Sequence, residues 1–313
     1  MAENHSTLHH SDAVVLMGSC FSDNIGAKMR SAMMRAMINP FGTLYNPLSI
    51  AAAVQRLITG EAIAGNTLFS HNGVWNSYQF HSRYSLPDKQ AAIDAMNSRI
   101  AQGQAALKTC SALIITLGTA MVYRLRSTGE VVANCHKVPQ HEFTRQMATM
   151  QQMSQALMQI VTSFHKLNPT AKVIFTVSPI RHIADGLDVN SLSKAMLRVA
   201  VNEVMLRQPD VVEYFPAYEI MLDDLRDYRF YATDMVHPSD LAIEYIWQAF
   251  QATYFDDRSA QAIARCERVS KRLQHRPMSS SREIVERFNA DTQAVLRNLV
   301  KQYPYLEETV TNL

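Results

Sequence analysis

The sequence predicts an α/β fold: a three-layer α/β/α arrangement with a mainly parallel sheet, plus a C-terminal helical extension. Three observations carry this. Short apolar runs near residues 13–17, 111–117, 172–177 and 211–214 are separated by long segments of helical pattern. The first two runs are continuous rather than alternating, as in strands buried on both faces. The residues capable of chemistry gather just after such runs, at the sheet's carboxyl edge, where open α/β sheets hold their sites.

Composition narrows the class. A chain of 313 residues holds one large α/β domain with an appendage, or two small domains. Hydrophobic residues are 47% of it, enough for a core, and a net charge of +2 does not call for nucleic acid or an acidic membrane surface. The cysteines at 20, 110, 135 and 266 lack CxxC spacing, which predicts a reducing compartment and no disulfide framework. No apolar run reaches the length of a membrane span, and the polar start, Met1 to Asp12, is unlike a signal peptide. A cytoplasmic protein is expected, with an arm at 1–12, a domain at 13–256 and the extension at 257–313.

Along the chain, Val14 to Met17 runs into Gly18-Ser19-Cys20 and then a helical pattern rich in Met and Ala, to about Met37. This reads as a strand turning sharply into a helix. A cysteine at a helix N-terminus can have its pKa lowered and become a nucleophile; the alternative is an ordinary buried cysteine. Asn39 to Pro47 is a proline-bounded loop before a helix that starts at Pro47. Within it Gly42 either turns its N–H towards a ligand or simply makes a tight turn. Residues 66–87 carry Trp75, Tyr78, Phe80, His81 and Tyr84 in an irregular insertion, which either lines a pocket or anchors the loop. A helix follows over about 88–108.

The second apolar run ends at Gly118-Thr119-Ala120, and Ser127-Thr128-Gly129 marks a hairpin. Asn134 and His136 come next, and the returning hairpin brings Asn134 towards Gly118. Cys135 beside His136, with His237, also raises a zinc site, though adjacent ligands without a second spaced pair are a weak metal signal. A helix is expected over 143–167, then a strand over 172–177 that ends in Ser178-Pro179-Ile180-Arg181-His182. Arg181 can bind a carboxylate or phosphate, or pair with an acidic neighbour. Asn190 is the expected cap of a helix running to Arg207. Asp234 and His237, three apart, share one face of a helical turn, which suits a carboxylate orienting a base. Charged helices over 257–274 and 282–302, broken at Pro277 to Ser281, are expected to pack on the body or to mediate self-association.

Gly18-Ser19-Cys20-Phe21-Ser22, Asn39-Pro40-Phe41-Gly42, Leu117-Gly118-Thr119-Ala120, Asn134-Cys135-His136 and Ser178-Pro179-Ile180-Arg181-His182 resemble the GSCFA family, related to the SGNH/GDSL hydrolases. Asp234 to Pro238 resembles the last GDSL block, and the likeness covers roughly 13–255. It implies an SGNH, flavodoxin-like sheet and acyl chemistry through a covalent acyl-enzyme. Cys20 then stands where relatives have serine, with Ser19 as rival nucleophile and Asp234 and His237 in support. Gly42 would supply an oxyanion N–H. Ala120 stands where GDSL enzymes carry an asparagine donor, with Asn134 as the substitute. His136, Arg181 and His182 complete the expected substrate side. The implied substrate is a small-molecule or carbohydrate acyl ester, with no cofactor, no metal and no nucleic acid. A non-catalytic binding module that keeps the fold is the alternative.

Overall fold

The computed structural model describes residues 7–275 and 281–311. Strand β1 (Ala13–Gly18) leads into α1 (Cys20–Ser31), β2 (Arg35–Ile38) and α2 (Pro47–Thr59). A hairpin of β3 (Phe69–His71) and β4 (Val74–Asn76) precedes α3 (Lys89–Thr109). Strand β5 (Ala112–Leu117) is followed by β6 (Met121–Leu125), β7 (Val131–Val132) and β8 (Phe143–Met147), which form a small antiparallel sheet. Then come α4 (Met150–Leu167), β9 (Lys172–Val177), α5 (Leu187–Arg207) and β10 (Val212–Tyr214). One helical turn, α6 (Ala217–Glu219), runs into a π-helical stretch, Ile220–Leu225. Helices α7 (Asp240–Tyr254), α8 (Asp257–Gln274) and α9 (Arg282–Gln302) follow.

The main sheet has the order β10-β9-β5-β1-β2, and every pair in it is parallel. Its strands are apolar throughout because both faces are covered. Val14, Leu16, Ile114 and Ile174 point into one core with residues of α1 and α7. Val15, Met17, Leu113 and Phe175 point into the other, with residues of α2 to α5. The chain runs from β1 out to β2, then crosses to β5 on the other side. That reversal between β1 and β5 is the switch point at which such sheets open a crevice.

Several local expectations are corrected. The helix after Gly18 stops at Ser31, and residues 35–38 form β2 instead of continuing it. Arg-Ala-Met-Ile is ambiguous by propensity, and parallel pairing of Ala13–Leu16 with Arg35–Ile38 decides it. The helix expected from Phe143 starts only at Met150, because Phe143–Met147 pairs with Leu125–Met121 of β6. Thr149 and Gln152 form a reciprocal capping box there, a signal readable in the sequence. Helix α5 begins at Leu187, so Asn190 is not its cap; its Oδ1 accepts from the His182 N–H at 2.9 Å.

The extension packs on the body. Residues of α8 and α9, among them Cys266, Val269 and Leu296, enclose Met33. Ile263 joins the core around Trp247, whose Nε1 donates to Glu267 at 3.0 Å. Of the expected arm, Leu8 pairs with Phe255 and His10 donates its N–H to Ser259 Oγ at 3.0 Å, while 1–6 lie outside the described residues. The expected break at Pro277 to Ser281 lies almost wholly outside them too. Among the described residues no helix is long and apolar enough to cross a membrane.

Candidate active site

The turn after β1 is shaped by close approach. Gly18 has φ of +136°, and a Cβ on it would stand 2.1 Å from the Thr116 carbonyl oxygen of β5. The Ser19 N–H donates to that same oxygen at 3.0 Å, and the Gly18 N–H donates to Asn39 Oδ1 at 2.9 Å. Ser19 is the N-cap of α1: its Oγ accepts from the Phe21 N–H at 3.3 Å and donates to Ser178 Oγ at 3.0 Å. The side chain is 1% exposed and its hydroxyl is held in those two bonds. Ser19 lines the same cleft as Cys20, but its hydroxyl is turned to Ser178.

Cys20, the next residue, points out of the turn, and its Sγ lies 3.9 Å from His237 Nε2. His237 Nδ1 donates to Asp234 Oδ2 at 2.6 Å. Asp234 Oδ1 accepts the N–H groups of Val236 and His237, each at 2.9 Å. The pair meets through a tight turn, with Met235 at φ +59°, and not on a helix. Those N–H groups and the imidazole hold the Asp234 carboxyl down to about 2. An ionised Asp234 on Nδ1 fixes the proton there and leaves the Nε2 lone pair facing the thiol.

The expectation of an acidic thiol is corrected. Burial pushes the Cys20 thiol up, and Asp23 adds to the effect; its own N–H, Lys194 and the Phe21 N–H act the other way. Desolvation outweighs the helix terminus.

Cys20 and His237 open into a cleft of about 490 Å³, walled by the antiparallel sheet and by the segment after β9. Asn134 lies in this wall, its Oδ1 accepting the His136 N–H at 2.8 Å. Asn46, which the sequence reading passed over, is held likewise: as N-cap of α2 its Oδ1 accepts the Ser49 N–H at 2.9 Å. Both carboxamides therefore keep an Nδ2 donor to offer the cleft. The Cys20 N–H, at the first position of α1, has no intrahelical acceptor and is a third donor. Ala120 is fully buried, with its N–H donating to Ser193 Oγ at 2.7 Å.

Arg181 and His182 also line the cleft. The Arg181 guanidinium lies 4.0 Å from the centre of the Tyr231 ring. Burial, helped by Lys194, Arg145 and His237, pushes His182 down to about 4, so it is neutral at ordinary pH. Arg145 and Asp185, unforeseen from sequence, form a bidentate ion pair in the cleft wall. Beneath the floor is Lys194 of α5, only 1% exposed and also unforeseen.

Two expected site residues do not belong. The Gly42 N–H donates to the Asn39 carbonyl at 2.8 Å, so it is not free for an oxyanion. Its φ of +81° and a would-be Cβ contact of 2.2 Å with His81 account for the glycine. His136 is 8% exposed and donates from Nε2 to the Ser77 carbonyl at 2.8 Å, away from the cleft. Cys135 lines the cleft without it, so the zinc grouping does not assemble. Among the described residues no three His, Cys, Asp or Glu side chains are placed to hold a metal ion.

A parallel three-layer α/β fold, with Cys20, His237 and Asp234 in line at the edge of its sheet, defines the class of protein. The chain belongs to the GSCFA family, which it matches over residues 13–250. Among solved structures it is similar to the acetyl xylan esterase Est2A of the rumen bacterium Butyrivibrio proteoclasticus, at 11% identity and a TM-score of 0.41, covering 79% of this chain and 64% of that one. It is similar to a family two carbohydrate esterase from Clostridium thermocellum, solved with cellohexaose, at 10% identity and a TM-score of 0.38 (80% and 65% covered). A carbohydrate esterase family 2 enzyme of Corynascus thermopiles with a carbohydrate-binding domain gives 12% identity and a TM-score of 0.41 (84% and 68% covered). No curated protein matches the chain.

Proposed function

We propose that this protein cleaves or transfers acyl groups of ester substrates through a thioester on Cys20. The observation that carries the reading is the Cys20–His237–Asp234 line, with Sγ 3.9 Å from Nε2 and Nδ1 2.6 Å from the carboxylate. His237 Nε2 takes the thiol proton as Sγ attacks the acyl carbonyl. The Cys20 N–H and the Nδ2 groups of Asn46 and Asn134 are the donors for the resulting oxyanion. As the tetrahedral species collapses, the alcohol leaves with the proton from His237 and the thioester remains. A second hydroxyl compound is then deprotonated by His237 and attacks the thioester. Water gives a carboxylic acid and a sugar hydroxyl gives a new ester; either restores the thiol. The substrate class proposed is a small-molecule or carbohydrate acyl ester.

The test is to incubate the protein with an activated acetyl ester, quench in acid and map the acetyl group by mass spectrometry. The reading expects it on Cys20 in the wild-type chain, and accumulating in His237→Ala only when the ester is activated enough to acylate unaided. A second reading, a binding module without turnover, draws on the burial of Ala120 where the relatives' donor stands. It predicts no acetyl-Cys20 and no turnover over a broad ester panel.

A further inference from the structure

The fixed charges that line the cleft do not cancel. Asp185 is the one carboxylate residue in its wall, and the bidentate pair with Arg145 neutralises both. Arg181 remains, and among the described residues it forms no ion pair with an acidic side chain. Its place is nevertheless well defined. The Arg181 N–H donates to the Val236 carbonyl at 3.2 Å, and Nη1 donates to the Met235 carbonyl at 3.5 Å. The guanidinium stands 4.0 Å from the Tyr231 ring centre and 5.5 Å from that of Tyr228.

A guanidinium over an aromatic ring is engaged on its flat face and keeps its N–H groups on its edge. It has five of them, and one long bond to a carbonyl does not use them up. The rings also restrict the side chain before anything binds, which lowers the ordering cost of recognition. Arg181 is half-buried in the wall it shares with Cys20 and His237, so what fills the cleft meets it. The chemistry that such a fork matches is an anionic oxygen group, a carboxylate or a phosphate. The half of the ester that carries this group follows from where Arg181 is tied. Met235 and Val236 belong to the turn that presents His237. In the proposed chemistry His237 delivers a proton to the leaving alcohol, so the alcohol half lies against that turn. The carboxamide donors for the oxyanion come from elsewhere, Asn46 from the start of α2 and Asn134 from the segment after β7.

We infer that Arg181 is a specificity-determining residue that binds a carboxylate or phosphate on the alcohol half of the substrate, so that the ester cleaved or made is that of an acidic hydroxyl compound. The inference rests on the proposed Cys20 chemistry and adds the class of its alcohol. Arg181 makes and breaks no bond in the reaction. It holds the anion while Cys20 and His237 act, and an ester of a neutral alcohol leaves its charge without a partner.

The experiment measures kcat/KM of wild-type, Arg181→Lys and Arg181→Gln chains on the mono-O-acetyl esters of glucose, glucuronate and glucose 1-phosphate. The wild-type chain should prefer an anionic ester over the neutral one by about tenfold or more, mainly through KM, and the two anionic arms tell carboxylate from phosphate. In Arg181→Gln the anionic-to-neutral ratio should fall to about one, while Arg181→Lys keeps part of it through its point charge. A merely structural role slows all three substrates together and leaves the ratio unmoved, which overturns the proposal. A preference for the monosuccinyl over the acetyl ester of glucose that is lost in Arg181→Gln puts the anion on the acyl half and overturns it too. Should neither variant fold, a wild-type ratio of about one overturns it. A second readout needs no turnover: protection of Cys20 from iodoacetamide by free glucose, glucuronate or glucose 1-phosphate, read by mass spectrometry. An anionic sugar should protect the wild-type chain at about tenfold lower concentration than glucose, and Arg181→Gln should lose the difference. Equal protection by all three, or none, overturns the proposal. Selective protection without turnover of any ester leaves the anion site at Arg181 and removes the acyl-transfer reading. Turnover at equal rates on all three acetyl esters removes the Arg181 inference alone.

Discussion

Replacing Ser19 and Cys20 one at a time separates two adjacent residues that a sequence alignment of motifs leaves interchangeable. In Ser19→Ala the N-cap bond to Phe21 disappears, at a cost of about 1 kcal/mol. The donor to Ser178 Oγ disappears too, for about 1 kcal/mol more, although Ser178 Oγ still accepts the Ile180 N–H at 3.3 Å. A chain of this size loses about 2 °C of Tm per kcal/mol, so the expected fall is about 4 °C. The backbone anchors of the turn, among them the bonds of Ser19 N–H to Thr116, Gly18 N–H to Asn39 and Leu44 N–H to the Gly18 carbonyl, are untouched. A displacement of about 1 Å costs about 10²-fold in rate, so a turn held this way should lose less than about tenfold. Cys20→Ala removes the proposed attacking atom and should lose about 10⁴-fold or more with little change in Tm. The assay is initial rate on a chromogenic acetyl ester, scaled to the folded fraction from thermal denaturation. Turnover that survives in Cys20→Ala and vanishes in Ser19→Ala would refute the assignment and with it the reading of the Ser19–Ser178 bond as structural.

Cysteine reactivity should follow the ease of thiol ionisation: burial pushes Cys135 up to about 11 and both Cys110 and Cys266 up to about 12, while the rise at Cys20 is smaller. Iodoacetamide should mark Cys20 first, then Cys135, with Cys110 and Cys266 last, as read by peptide mapping. The Asp234 carboxyl has a depressed folded value, so its pairing with His237 is present above the free carboxyl value of about 3.9 and is lost only as pH falls through about 2. Asp234→Asn should therefore lower kcat less than His237→Ala does, without adding a second titration to the acid limb of the pH–rate profile. A chain ending at Asp257 loses the cover that α8 gives Met33 and Trp247 but no residue lining the cleft. Its Tm should fall while turnover per folded molecule stays within a few-fold of the full chain, and loss of turnover in a well-folded truncation would show that the extension shapes the site.

Short-range chemistry made much of this protein legible from residues alone. Continuous apolar runs mark strands buried on two faces whatever packs on them, and Gly18 before a helical pattern marks a strand–helix turn. The pairing of Asp234 with His237 is equally local, since three residues of chain bring them together in a turn as well as in a helix. Tertiary structure decided the rest, because those residues owe their roles to partners distant in sequence. Residues 35–38 and 143–147 are strands only because β1 and β6 offer them a ladder. Gly42 lost its expected role when Asn39 took its N–H, and His136 lost its own to the Ser77 carbonyl. Asn46 acquired one when capping α2 left its Nδ2 in the cleft wall. Lys194 did carry a sequence signal: it falls on the buried face of α5 with Leu197, Val201 and Val204. A lysine on an apolar stripe announces a buried amine, but the carbonyls of Gly118 and Ser178 that receive it come from strand ends brought together only by the sheet.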